Sequence, residues 1–286
     1  LLKYLTNIDI FFTNYVCDKF TNNSIKIYMH HDISTAPLVD KRKEKDLYQR
    51  LIKYDLIFSP QKKSSIMFHK FLNKHNSKKS FINIPTIYEV GYPKLDYLRR
   101  KKVKRNLNEK IIVIAPTDYR HVQKLSIYNE LDNIIDLILK KTKYKIYFRP
   151  YPANLKTERI LRLVKKYSNI KRFNLDNSND YIDVYSKSRY LLTDISGTAI
   201  TYSYFTNRKV IFYSRNEKLV KKMFYKDNSY FKDRNKFGVI KSKPIEIVNF
   251  INNDNSNYSN KQIKKEIKYL DKSKQRIKFL LKKYLK

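Results

Sequence analysis

Short apolar, β-rich runs alternate along this chain with longer segments whose apolar positions recur at three- and four-residue spacing. Ile8–Phe12, Ile25–Met29 and Leu56–Ser59 read as strands, and Lys43–Lys53 and Ser64–Asn73 as helices. Such βα alternation predicts a parallel sheet, because parallel neighbours need a crossover between them. The pattern stops at Lys101–Lys110, KKVKRNLNEK, which is charged and lacks a useful apolar face. A linker there places a boundary near residue 105 and divides the chain into 1–104 and 105–286. Alternation resumes with strands at Ile111–Ala115 and Tyr144–Phe148 and helices at Tyr128–Lys140 and Lys156–Tyr167. Two Rossmann-like α/β domains are therefore expected, with ligands at the carboxyl ends of their strands, in a cleft between them. The first is expected to be incomplete, since Leu1 opens directly on what reads as a structured segment.

The second half contains the most informative stretch, Tyr190–Tyr213, YLLTDISGTAITYSYFTNRKVIFY. It reads as strand, tight turn, helix, strand, with the helix expected to begin at Ser196. The first turn of a helix leaves backbone N–H groups without internal acceptors, and its dipole puts partial positive charge there. A phosphate suits that position. Ser196 and Thr198 add hydroxyls, and Gly197 is one of only three glycines. The alternative is that Asp194 or Ser196 simply caps the helix.

Charge narrows the partners. Lys plus Arg number 62 against 26 Asp plus Glu, a net charge of +36, while 42% hydrophobic and 14% aromatic residues argue for a folded chain. Such a surface attracts nucleic acid, anionic lipid, or a polyanionic or nucleotide-linked substrate. The abundance of Lys, Asn, Ile and Tyr also points to a compositional origin for part of the charge, since the lysines are spread over the whole chain. There is no helix-turn-helix, zinc-finger or RNA-recognition signature, so no specific nucleic-acid partner is expected. The single cysteine, Cys17, excludes an intrachain disulfide and a cysteine zinc cluster, and suggests a reducing compartment. No apolar run approaches the ~20 residues that span a bilayer. The tail Lys261–Lys286 reads as a basic amphipathic helix with Ile263, Ile267, Leu270, Ile277, Leu281 and Tyr284 at helical spacing. Two roles fit it: packing on the second domain, or lying on an acidic membrane surface.

Candidate chemistry clusters at strand ends. His30-His31-Asp32 follows the strand Ile25–Met29, and His31 beside Asp32 suits a general base working near neutral pH. No metal site is expected, because His69, His75 and His121 show no tight ligand spacing. Arg149, in Phe148-Arg149-Pro150-Tyr151-Pro152, sits between backbone-fixing prolines and offers a planar fork to phosphate oxygens. Thr117 and Arg120 lie in a second polar turn, in which Asp118 and Tyr119 read as solvent loop.

Taken in order, these pieces resemble the landmarks of the teichoic-acid-type CDP-glycerol glycerophosphotransferases. They are His31 with Pro37-Leu38, Gly91-Tyr92-Pro93-Lys94-Leu95-Asp96, Ile114-Ala115-Pro116-Thr117, the Arg149 segment, and Leu192–Thr198 followed by Lys209–Tyr213. The resemblance implies a GT-B fold, with the nucleotide held mainly by the second domain. It implies transfer of glycerol phosphate from CDP-glycerol to a hydroxyl of a lipid-linked polymer or glycan, without metal or other cofactor. The protein would be peripheral, at the cytoplasmic face of an anionic membrane. His31, Asp32 and Arg149 would be catalytic; Thr117, Arg120, Asp194, Ser196, Gly197 and Thr198 would bind nucleotide and phosphate. His31 would remove the acceptor proton, the acceptor oxygen would attack the β-phosphorus, and CMP would leave. Two departures stand out: Asp-Ile-Ser-Thr-Ala follows His31 where the family has Gly-Thr, and Tyr151 replaces a second histidine. A tyrosine brings a hydrogen bond and no charge. A GT-B glycosyltransferase using a nucleotide-sugar is the alternative enzyme, and a non-enzymatic nucleic-acid-binding protein matches the charge alone.

Overall fold

The computed structural model describes residues 9–21, 23–33, 43–76, 83–101, 110–223, 229–254 and 266–284. They form two compact units: Leu1–Arg100 with Lys221–Lys232 and Gln262–Lys286, and Lys101–Val220 with Asp233–Lys261. Pro37 and Leu38, residues 102–109 of the expected linker, and Ile263 lie outside the described residues.

In the first unit, β1 (Ile10–Thr13), β2 (Ile25–Met29), β3 (Leu56–Ser59) and β4 (Thr86–Glu89) form a parallel sheet in the order β1-β2-β3-β4. Helices α1 (Glu44–Leu51), α2 (Lys62–His75) and α3 (Pro93–Arg100) accompany them. The two-residue period of a strand sends alternate side chains to opposite faces. Tyr28 and Ile57 pack on one face with Leu47, Leu51, Phe68 and Leu72 of α1 and α2. Ile27, Leu56 and Phe58 point to the other.

The second unit runs β5 (Ile111–Ile114), α4 (Tyr119–Val122), α5 (Leu131–Lys141), β6 (Lys145–Phe148), α6 (Glu158–Tyr167), β7 (Phe173–Leu175), α7 (Ile182–Lys187), β8 (Tyr190–Thr193), α8 (Thr198–Thr206) and β9 (Val210–Tyr213). Then come α9 (Glu217–Met223), α10 (Ser229–Phe237), β10 (Gly238–Lys241) and α11 (Pro244–Asn253). Its six-stranded parallel sheet has the order β10-β9-β8-β5-β6-β7. Every residue of β5, β8 and β9 is buried, which is why these strands read as unbroken apolar runs. Helix α8 is buried from Ala199 to Thr206, so its sequence TAITYSYFT lacks a polar face. Gly238 is required by packing: a Cβ there would meet the Val210 carbonyl oxygen at 1.7 Å.

The closing helix α12 (Ser273–Tyr284) belongs to the first unit, which corrects the expectation that it packs on the second. Leu280 packs with Ile27, Leu56, Phe58 and Val90, and Ile277, Leu281 and Tyr284 lie against them, so the helix covers the sheet face that α1 and α2 leave bare. Asp96 locks its start. That buried carboxylate accepts from Asp271 N at 2.7 Å, from Ser273 N at 3.0 Å and from the Ser273 hydroxyl. Gly91 has φ +82°, and a Cβ on it would meet the Tyr269 carbonyl oxygen at 2.7 Å. The Gly91–Asp96 segment thus clamps the last helix onto the first sheet.

Candidate functional site

In the second unit the chain adds β6 and β7 on one side of β5, then returns to place β8 on the other. The strand order therefore reverses between β5 and β8, and ligands of open parallel sheets bind outside the carboxyl ends at such a reversal. The turn Ala115–Arg120 follows β5 and the turn Asp194–Thr198 follows β8, one on each side of the crevice. The two strand ends are tied together: Ala115 N donates to Leu192 O at 2.9 Å, and Thr193 Oγ1 donates to Ala115 O at 2.6 Å.

Asp194 has a different place from the one expected. It is buried and accepts from the backbone N–H groups of Thr117 (2.9 Å), Ile127 (3.2 Å) and Ile195 (2.8 Å). Burial raises its carboxyl above the ordinary carboxylate value, and those three donors pull it back. Asp194 is thus the knot joining the two turns, and it is removed from the phosphate ligands. It does not cap α8 either. That helix starts at Thr198, two residues later than expected, because Ala199 N and Ile200 N turn back onto Ser196 O and Gly197 O at 3.1 and 3.3 Å.

Ser196, Gly197 and Thr198 are partly exposed. Gly197 has φ −60° and ψ −22°, a conformation open to any residue, so its glycine meets no backbone requirement. Thr198 Oγ1 lies 2.8 Å from the Tyr185 hydroxyl. Burial pushes that hydroxyl up to about 12, while the Thr198 bond and the nearby positive charge of Arg149 pull it down. The Tyr185 ring also lies 4.8 Å from that of Tyr181, so the two tyrosines lead from the turn after β8 towards the arginine after β6.

Arg149 is largely buried, and its Nη1 donates to Asp176 Oδ2 at 2.7 Å and to Ser178 Oγ at 3.2 Å. Its guanidinium also lies 5.9 Å from the Tyr181 ring centroid. Both bonds engage Nη1, which leaves the Nε–Nη2 edge of the fork for an anion. Asp176, at the end of β7, escaped sequence reading because carboxylates are common in loops. The strand it follows escaped the pattern too, so the sequence carried no signal for it. Arg120 is occupied differently. Its Nε and Nη2 clasp Asp118 at 2.6–3.1 Å. Asp118 is buried, contrary to the solvent-loop reading, also accepts from Asn154 Nδ2, and is held down to about 2 chiefly by Arg120. Thr117 contributes its backbone N–H to Asp194, so both predicted ligands of this turn act first in building it.

In the first unit, His31 follows β2 with its side chain 45% exposed. Its Nδ1 lies 3.0 Å from the Asn14 carbonyl oxygen, which can only accept. The neutral ring therefore carries its proton on Nδ1 and keeps the Nε2 lone pair free, the form a base needs. Asp32 Oδ2 stands 3.8 Å from Nε2, within reach of the imidazolium that proton capture would create. The Tyr15 ring lies 5.3 Å from the imidazole, and the Tyr92 hydroxyl donates to the His31 carbonyl. His30, by contrast, is buried, with Nδ1 3.0 Å from the Tyr28 hydroxyl. Among the described residues no three His, Cys, Asp or Glu side chains gather to hold a metal ion.

Two parallel-sheet Rossmann-like units, the second with its strand order reversing between β5 and β8, make up the GT-B fold. Known proteins agree. The family model for CDP-Glycerol:Poly(glycerophosphate) glycerophosphotransferase matches residues 23–275, and the chain belongs to that family. No curated protein sequence matches it. Among solved structures, the wall teichoic acid polymerase TagF is similar with a TM-score of 0.53 and 19% identity, over 90% of this chain and 64% of that one. A TagF variant soaked with CDPG gives 0.54 and 19%, over 94% and 66%. S. aureus MnaA with UDP gives 0.57 and 15%, over 92% and 69%. The chain thus spans less than two thirds of the TagF structure, and at these identities the likeness concerns the fold.

Proposed function

We propose that this chain transfers glycerol phosphate from CDP-glycerol to a hydroxyl of a cell-surface polymer. The observation that carries the reading is the convergence, through Tyr185 and Tyr181, of Arg149 and the Ser196–Thr198 turn beside the reversal point of the second sheet. There the Nε–Nη2 edge of Arg149, the hydroxyls of Ser196 and Thr198 and the bare backbone of Gly197 hold the donor diphosphate. Thr117 and Arg120 form the opposite lip. Such groups favour the charge that builds on the bridging oxygen as the P–O bond to CMP breaks.

His31 Nε2 takes the proton from the acceptor hydroxyl as its oxygen bonds to the β-phosphorus, and Asp32 balances the resulting imidazolium. Tyr151, exposed where the family carries histidine, contributes a neutral hydrogen bond only. The acceptor is a lipid-linked glycan or polymer, and the protein works at the cytoplasmic face of an anionic membrane as a peripheral protein. No helix among the described residues is long and apolar enough to cross a bilayer.

CMP release from CDP-glycerol tests the assignment. The wild-type chain turns over and His31→Ala loses about 10²–10⁴-fold in rate; unchanged turnover in the variant removes His31 from the mechanism. Because Tyr151 departs from the family, CDP-polyols and nucleotide-sugars belong in the same panel. Turnover with a nucleotide-sugar alone would reassign the donor.

A further inference from the structure

The opposite, amino-terminal edge of the second sheet carries a cavity of about 520 Å³ that the transfer reaction does not use. Lys110 precedes β5, Lys143 precedes β6 and Arg189 precedes β8, and all three line it. Lys140 and Lys141 join them from the last turn of α5. Five cations from three chain segments thus face one hollow. Its carboxylate, Asp254, is already engaged: Oδ1 accepts from Lys209 at 2.7 Å and Oδ2 from the Tyr190 hydroxyl at 2.9 Å. Arg189 Nη2 donates to the Asp254 carbonyl at 3.2 Å, which fixes the guanidinium in the wall. Among the described residues Lys140 has only a distant exposed partner, Asp136 at 3.9 Å. Lysines in a last helical turn also complement the helix dipole, which accounts for Lys140 and Lys141. It does not account for Lys110, Lys143 and Arg189, which come from loops before three different strands.

We infer that this cavity is a second anion site, for a phosphodiester group, separate from the donor site. The strands are four residues long, so the two edges lie about 13 Å apart and one phosphate cannot serve both. Lysine ammoniums are mobile point charges, which suits a phosphodiester whose substituents vary and predicts strong salt dependence. The phosphodiester has two possible sources, an anionic lipid headgroup or a soluble glycerophosphodiester.

The test compares Lys110→Gln/Lys141→Gln/Lys143→Gln with Lys156→Gln/Lys165→Gln/Lys218→Gln, which removes equal charge elsewhere on the same unit. Calorimetry with soluble glycerophosphoglycerol and flotation with phosphatidylglycerol vesicles, each at low and raised salt, are the two arms. The cavity variant is expected to lose at least tenfold in affinity in one arm, and the control less than threefold. Loss with vesicles alone identifies a lipid headgroup; loss in the soluble arm identifies the free diester. Equal losses in both variants, or no binding of either probe by the wild-type protein, overturn the site. Circular dichroism melts of both variants check folding, and Lys110→Arg/Lys141→Arg/Lys143→Arg should restore binding.

Discussion

Gly197→Ala separates a structural glycine from a functional one. With φ −60° and ψ −22°, the residue already occupies the right-handed helical region, so alanine fits without strain. Replacing glycine at a compatible site stabilises by about 0.4–1 kcal/mol through the unfolded chain. Alanine is the poorer N-cap residue by about 0.5–1.5 kcal/mol, so the two effects offset and the fold should change by no more than about 1 kcal/mol in either direction. The donor suffers instead. A methyl carbon needs roughly 3.5 Å from a phosphate oxygen, whereas an N–H···O bond needs about 2.9 Å, so the diphosphate must withdraw from the turn. Losing one or two hydrogen bonds to a charged group, at about 1.5–3 kcal/mol each, weakens CDP binding roughly 10- to 100-fold or more. Calorimetric titration with CDP reads the loss, and a thermal melt reads the unchanged fold. Wild-type CDP affinity in a folded Gly197→Ala protein would refute the phosphate assignment. A collapsed melting temperature would refute the backbone argument.

Arg149→Lys keeps the charge but loses the fork: with Asp176 retaining the ammonium, CDP affinity should fall about tenfold with little loss of stability, measured by the same titration and melt. Asp96→Ala removes the acceptor for two backbone N–H groups and a hydroxyl at the start of α12, costing about 2–4 kcal/mol in urea unfolding, with proteolysis near residue 271 appearing first. The Asp118 carboxyl lies below its ordinary value of 3.8, at about 2, so its stabilisation is complete above 3.8 and disappears as pH falls towards 2. Since Arg120 is two-thirds exposed, that contribution is about 1 kcal/mol after screening, and Asp118→Asn should flatten the slope of stability between pH 5 and pH 2.5.

The roles of the two aspartates at the proposed donor edge change what the positive surface means. Arg120 is balanced by Asp118, and Arg149 is oriented by Asp176, so neither acts as an unpaired charge. Net charge of +36 says that anions are attracted; these pairs say which nitrogen atoms are presented. An oriented fork loses less rotamer freedom on binding than a loose one, which is how an ion pair beside a ligand site raises specificity without raising charge.

From sequence alone, the parallel α/β architecture was determined, along with the central strands and the strand ends to which the proposed chemistry is assigned. Strands β3, β5, β8 and β9 are buried along their whole length, so each had to be a continuous apolar run and was legible as one. Strands β4, β7 and β10 escaped because each lies at a sheet edge, where partial exposure admits polar residues and erases the pattern. Tertiary structure alone decided partners. The tail pattern announced an amphipathic helix but could not say that its apolar stripe covers the first sheet, since any bare sheet face buries such a stripe equally well. Likewise Asp176 reaches Arg149 across 27 residues and Asn14 sets the His31 tautomer across 17. Periodicity is local, whereas these contacts depend on which strand ends the sheet order brings together.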